Sequence, residues 1–306
     1  NAALKNMTLD EIISIFSSFV SVVGEKWLRQ NDWCREDYIS SRLDHYKQLE
    51  SDLKKIDGLV GRQSLRKTYR SLLRDQNSFW STFHEIHGIS LVSNIASSLK
   101  LKVPLGWSSN KDFDAKACVL GASVNIECKT RKDEFPFKFP PTIIGPNKIL
   151  VYSGSRATLD PHDAEQLGLP PEPERLDNLH VPIPEATEVR RILLDGLSQL
   201  PNTGINLIVF GHISGDREDL ERALFGPVVV DFATNSETRD VESTTVQLPH
   251  GAYDAGANGE PFRRLSGVLW FKLFSMNGPE YKFYPNPNAT SPLPHDVVTR
   301  LESLIG

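Results

Sequence analysis

The apolar positions change period several times along the chain, and each change marks an element. From Thr8, the residues Ile12, Ile13, Phe16, Phe19, Val20 and Val23 recur at helical spacing, and Thr8 with Glu11 has the form of a capping box. Gly24 ends or interrupts this helix. A second helical stripe, Leu43, Tyr46, Leu49 and Leu53, runs within Asp37 to Ile56, with Gly58 and Gly61 as breakers. A third helix is expected over Phe79 to Lys100 on Phe79, Phe83 and Ile86, continued by Leu91, Ile95 and Leu99, and a short strand-like run, LKVPL, follows it. Period two then takes over. Phe113, Ala115, Ala117 and Val119 alternate with Asp112, Asp114, Lys116 and Cys118. After Gly121, Val124, Ile126 and Cys128 alternate with Ser123, Asn125, Glu127 and Lys129. Two alternating arms around a glycine predict a β-hairpin.

Downstream, residues 131–184 are dense in proline and read as one long extended loop, with a short helix at His162 to Leu167. Glu185 to Leu200 is an amphipathic helix on Val189, Ile192, Leu193, Leu197 and Leu200. The run INLIVFGHI is apolar almost throughout and reads as a strand buried on both faces. A short helix is expected at Asp219 to Phe225, a loop over 232–262, a strand at LSGVLWFKLF, turns at YPNPNATSPLP, and a closing helix from Pro292 to Ile305. Together these predict an α/β fold: a mixed central sheet flanked by helices. The expected division is a helical segment over 1–75 and an α/β domain over 76–306 that carries the long loop.

Composition changes this picture little. The chain has 306 residues, 39% hydrophobic and 24% charged, ordinary for a globular protein with a sizeable core. No apolar run reaches membrane-span length, and no basic-then-apolar leader pattern opens the chain, so no membrane partner is expected. Cys34, Cys118 and Cys128 are odd in number and lack metal-ligand spacing, which points to a reducing cytoplasm. The net charge of −5 argues mildly against a surface coated with phosphate contacts, although basic patches can be local.

The hairpin carries the chemistry. If Ala115 pairs with Ile126, the apolar rows coincide and Asp114 falls opposite Glu127; a slip by two keeps the faces and puts Asp114 opposite Lys129. Either way carboxylates and an ammonium meet on one face. Two close carboxylates repel unless a cation lies between them, and Mg²⁺ uses one or two carboxylates plus waters and phosphate oxygens. A lysine beside them can position or activate water, or offset developing charge.

An aspartate followed by Glu-x-Lys on the next strand resembles the PD-(D/E)XK, or restriction-endonuclease-like, nuclease superfamily, on Asp114, Glu127 and Lys129. Phe113 stands where the family's name has proline, and Asp112 shares the parity of Asp114 and competes for its role. The resemblance covers roughly Phe79 to Ile213 and implies a Mg²⁺- or Mn²⁺-dependent nuclease, with DNA as the expected nucleic acid. In it, Asp114 (or Asp112), Glu127 and the Cys128 carbonyl would hold the metal. Lys129 would act on the water, and Glu85 would be the helix-borne acidic residue of the site. The resemblance leaves a homodimer or a partner subunit open, and also an interaction protein that has lost the chemistry.

Cationic residues suggest where a substrate would lie. Arg131 and Lys132 follow the Glu-x-Lys strand, and Arg66, Lys67 and Arg70 belong to the most basic stretch, GRQSLRKTYRSLLR. That stretch reads either as a phosphate-contacting helix or as a solvated polar face. His84 and His87, three apart, share a helix face and offer a rival zinc reading, without an evident third ligand.

Overall fold

The computed structural model describes residues 8–31, 42–106, 111–131, 142–144, 149–152, 155–156, 184–212, 217–226, 228–234, 241–247, 251–257, 259–273 and 278–304. Among the described residues six helices come first: α1 (Leu9–Ile15), α2 (Ser17–Val23), α3 (Glu25–Gln30), α4 (Leu43–Val60), α5 (Arg62–Arg74) and α6 (Phe79–Ser93). The capping box at Thr8 forms as the sequence predicts, with the Thr8 amide donating to Glu11 at 2.6 Å. Gly58 stays inside α4, and Gly61 ends it. The start of the expected helix, Asp37 to Ser41, lies outside the described residues.

Helix α6 stops at Ser93, earlier than its apolar stripe predicts, and Ile95 and Leu99 do not continue it. Leu99 belongs instead to strand β1 (Ala96–Pro104), where Leu99, Leu101 and Val103 alternate with Lys100 and Lys102. The short-range period of two wins there over a helical spacing that two leucines and an isoleucine satisfy by coincidence.

Strands β2 (Asp112–Val119) and β3 (Ala122–Arg131) form the expected hairpin. They join a six-stranded mixed sheet with β7 (Ile205–His212), β10 (Gly267–Lys272) and β11 (Glu280–Pro285), in the order β1-β2-β3-β7-β10-β11. Strand β7 runs parallel to both β3 and β10, and the remaining pairs are antiparallel. Leu207, Ile208, Val209 and Phe210 of β7 are all buried, as a central strand covered on both faces requires. Strand β11 precedes the turn-rich run YPNPNATSPLP and overlaps it only at Tyr284 and Pro285.

One apolar core runs from Phe19, Tyr46, Leu49, Phe79 and Phe83 of the helices to Ile126, Leu207, Val209 and Leu269 of the sheet. The chain therefore does not part at residue 75. Its two compact units are residues 1–132, 193–214 and 260–306, which hold the helices and the main sheet, and residues 133–192 and 215–259. In the second unit, β4 (Thr142–Ile144), β5 (Ile149–Tyr152) and β6 (Ser155–Arg156) make a three-stranded sheet inside the expected loop. Strands β8 (Val228–Thr234) and β9 (Val241–Gln247) make a two-stranded one, partly within a second expected loop. The short helix expected at His162 to Leu167 lies outside the described residues. Helices α7 (Pro184–Ser198), α8 (Arg217–Phe225) and α9 (His295–Ser303) match their sequence patterns within a few residues. Among the described residues no helix is long and apolar enough to cross a membrane.

The basic face of α5 has a structural task. Arg66 Nε donates to the Ser21 carbonyl at 2.7 Å, Arg70 Nε to Val22 at 3.1 Å, and Arg74 Nε to Val23 at 2.7 Å. These are the carbonyls at the C-terminal end of α2. At its other end, Glu50 accepts from the amides of Ser18 (3.0 Å) and Phe19 (2.9 Å). Anion at the start and cations at the end complement the helix dipole and satisfy its terminal backbone groups. Arg66 and Arg70, read from the sequence as phosphate contacts, thus hold α2 through their Nε groups, while Lys67 is exposed.

Candidate active site

The hairpin closes through Leu120 and Gly121, whose φ values of 50° and 83° give the twist of a two-residue turn with both central residues left-handed. This turn pairs Val119 with Ala122 and sets Ala115 opposite Ile126, the first of the two registers the sequence allows. Glycine takes the left-handed region freely, whereas leucine is strained there by about 1–2 kcal/mol. Leu120 is 56% exposed, so its side chain returns little of that. Leu120→Asn is expected to raise the unfolding free energy by about 1 kcal/mol, read as a higher denaturant midpoint. An unchanged or lower midpoint would mean that Leu120 contributes packing that its exposure does not show.

Backbone pairing of β2 with β3 ends at Ala115 and Ile126, and two carboxylates take over the amides beyond. The Asp114 amide donates to Glu127 Oε2 at 3.3 Å, and the Cys128 amide donates to Asp114 Oδ2 at 2.8 Å. Both acids are buried, Glu127 at 2% exposure. Asp112, the competitor for the aspartate position, is exposed and pairs with Pro104, so Asp114 is the acid that meets Glu127. Cys128 meets the cluster through its N–H, whereas the sequence reading used its carbonyl; its thiol packs on the core side, 3.8 Å from the Glu85 carbonyl.

Lys129 Nζ lies 3.2 Å from Glu127 Oε1 and 2.8 Å from Asp195 Oδ2 on α7. With its amide assigned so that both neighbours are satisfied, Gln199, just past α7, places its nitrogen 3.2 Å from Glu127 Oε1 and its oxygen 2.5 Å from Lys129 Nζ. The lysine stem is pressed by the helix at Gly196, where an added Cβ would come within 3.3 Å of Lys129 Cε and 3.1 Å of Ile208 Cδ1. On the far side of Asp114, Lys102 Nζ is 2.5 Å from Asp114 Oδ1 and 2.8 Å from Glu85 Oε1. The Glu85 contact is an ion pair without hydrogen-bond alignment. Glu85 therefore reaches the cluster through Lys102. The buried Tyr69 hydroxyl of α5 adjoins Glu85.

Burial is the main influence on these acids. It raises Glu127 to about 8, reinforced by Asp114 and opposed by Lys129. It raises Glu85 to about 7, again with Asp114 adding and Lys102 opposing. Burial works against the charge of Lys129, but Asp195 and Glu127 outweigh it and raise the ammonium's pKa. Burial likewise opposes Lys102, and Glu85 and Asp114 raise it more strongly. Both lysines thus stay protonated, beside two glutamates, Glu85 and Glu127, that burial makes reluctant to ionise.

Among the described residues no three His, Cys, Asp or Glu side chains gather into a metal cage. Two hard carboxylates do stand together, Asp114 and Glu127, and Mg²⁺ or Mn²⁺ needs no more than one or two. The donor set therefore fits a lightly coordinated divalent ion. His84 and His87 are both buried and packed on Phe271. The Nδ1 atoms lie 2.7 Å from the Trp80 carbonyl and 2.8 Å from Asp52, so the two rings are engaged separately. Arg131 ends β3 opposite His212, and the position of its side chain, like all of Lys132, lies outside the described residues.

Comparison with protein-family models, curated proteins and solved structures gives no match. The site is therefore read from its own residues. Lys102, Asp195, Gln199 and Tyr69 were absent from the sequence reading. Only Lys102 left a trace there, as the polar position between Leu101 and Val103.

Proposed function

We propose that the chain is a divalent-metal-dependent nuclease on a restriction-endonuclease-like core, hydrolysing phosphodiester bonds, with DNA as its first expected substrate. The observation that carries this reading is the meeting of Asp114, Glu127 and Lys129 on one hairpin face. Asp114 and Glu127 would hold Mg²⁺ or Mn²⁺. The ion, when bound, supplies charge to a phosphate oxygen and acidifies a water. Lys129 keeps its proton, so its part is to orient water and offset the charge that grows on the phosphate, not to act as a base. Asp195 and Gln199 fix its ammonium from the α7 side. Glu127, buried and reluctant to ionise, orients Lys129 and is itself oriented by the Asp114 amide.

One observation favours a second reading, a nucleic-acid-binding protein without the chemistry: Lys102 already neutralises Asp114. Incubation with plasmid, linear duplex and single-stranded DNA in Mg²⁺, Mn²⁺ or EDTA separates the two. Cleavage of at least one substrate is expected with either metal and not with EDTA. Binding without metal-dependent cleavage would select the second reading.

A further inference from the structure

Each oxygen of Asp114 has a partner. Oδ2 is held by the Cys128 amide at 2.8 Å, and Oδ1 faces the Lys102 ammonium at 2.5 Å. The same ammonium lies 2.8 Å from Glu85 Oε1, the oxygen that lacks a hydrogen bond of its own. A cation approaching Asp114 on its free side therefore meets Lys102 first. Lys102 is placed there by an unusual backbone: its φ of 46° lies in the left-handed region that a lysine rarely adopts, between the regular pairs Leu101–Ala115 and Val103–Phe113. Strain of this kind persists where surrounding structure fixes it, and such positions gather at functional sites.

We propose that Lys102 is a resident counter-ion that occupies the metal's place on Asp114 and sets the concentration at which a divalent ion enters; this rests on the nuclease reading. A long, flexible stem suits an ammonium that must leave one carboxylate while keeping the other. When the ion enters, the ammonium gives up Asp114 Oδ1 and stays on Glu85. Lys102 is thus a positioning residue, which keeps the buried acids together without metal and yields to it.

The test is Mn²⁺ binding by titration calorimetry to wild type, Lys102→Met and Lys102→Arg. Lys102→Met is expected to bind Mn²⁺ at least tenfold more tightly than wild type and to melt at a lower temperature without metal. Lys102→Arg, which keeps the charge, is expected to stay near wild type. Equal or weaker binding by Lys102→Met, with wild type binding normally, overturns the proposal and leaves the nuclease reading intact. Absence of binding by all three overturns the nuclease reading and the proposal with it. If Lys102→Met does not fold, wild type labelled with ¹³C at lysine Cε decides instead. The Lys102 signal, identified by its loss in Lys102→Arg, should shift with added Mg²⁺ along the binding curve; a signal that stays in place overturns the proposal.

Discussion

Lys129→Met is expected to lower metal-dependent DNA cleavage by roughly 10²–10³-fold, the usual effect of removing one preorganised donor to developing charge. Its metal-induced rise in melting temperature should largely survive, because the ammonium is not a ligand. Glu127→Gln should lose both cleavage and most of the metal response. The two variants also part in their pH dependence. Glu127 is raised to about 8 by burial, with Asp114 adding and Lys129 opposing. A carboxyl raised in the folded state holds a proton there that the unfolded chain gives up near its ordinary value. Its contribution to stability is therefore present in acid and is lost as pH climbs toward 8. Without metal, wild type should lose stability relative to Glu127→Gln between about pH 5 and pH 8, where the unfolded and folded values bracket the window. Denaturant unfolding of both proteins at several pH values measures the difference. A difference independent of pH would show that Glu127 is ionised throughout, and a Lys129→Met variant that cleaves normally would remove the lysine from the chemistry.

A second large effect is expected far from the cluster. Asp52 is 1% exposed and accepts from Ser90 Oγ at 2.8 Å and Gln48 Nε2 at 3.0 Å, with His87 Nδ1 at 2.8 Å. His87 Nε2 in turn lies 3.5 Å from the Tyr281 hydroxyl of β11. This polar chain ties α4 and α6 to the far edge of the sheet. Asp52→Ala strands the buried donors of Ser90 and His87, and the loss is expected to be about 1–3 kcal/mol for each donor left unsatisfied. Asp52→Asn keeps an acceptor and should lose less. Chemical denaturation checks both; a loss below about 1 kcal/mol for Asp52→Ala would mean that water replaces the carboxylate.

The hairpin was legible because two independent signals agree: period two on both arms, and a glycine where the turn needs a positive φ. Asp114 and Glu127 follow from that register alone. What lay beyond it depends on which elements meet, and a linear pattern does not contain that. Asp195 and Gln199, four apart, share one helix face in the sequence, yet nothing there says that Lys129 is what they face. Arg66, Arg70 and Arg74 show the same limit. Their spacing of four marks a basic stripe, but their partners are helix carbonyls some 45 to 51 residues earlier. Lys102 lies in the strand-like run LKVPL, yet nothing in that alternation says which carboxylates it meets. Strand β9 was hidden by a polar composition that reads as loop, whereas β8, VVVDFAT, opens on three valines before that loop begins.

In the proposed nuclease, Asp114 and Glu127 share a divalent ion. Anomalous diffraction from crystals grown or soaked with Mn²⁺ measures this directly. One peak is expected within about 2.0–2.3 Å of a carboxylate oxygen of each residue, with Lys102 Nζ withdrawn from Asp114. Crystals without a peak there, and with Lys102 still paired to Asp114 at saturating Mn²⁺, would contradict it.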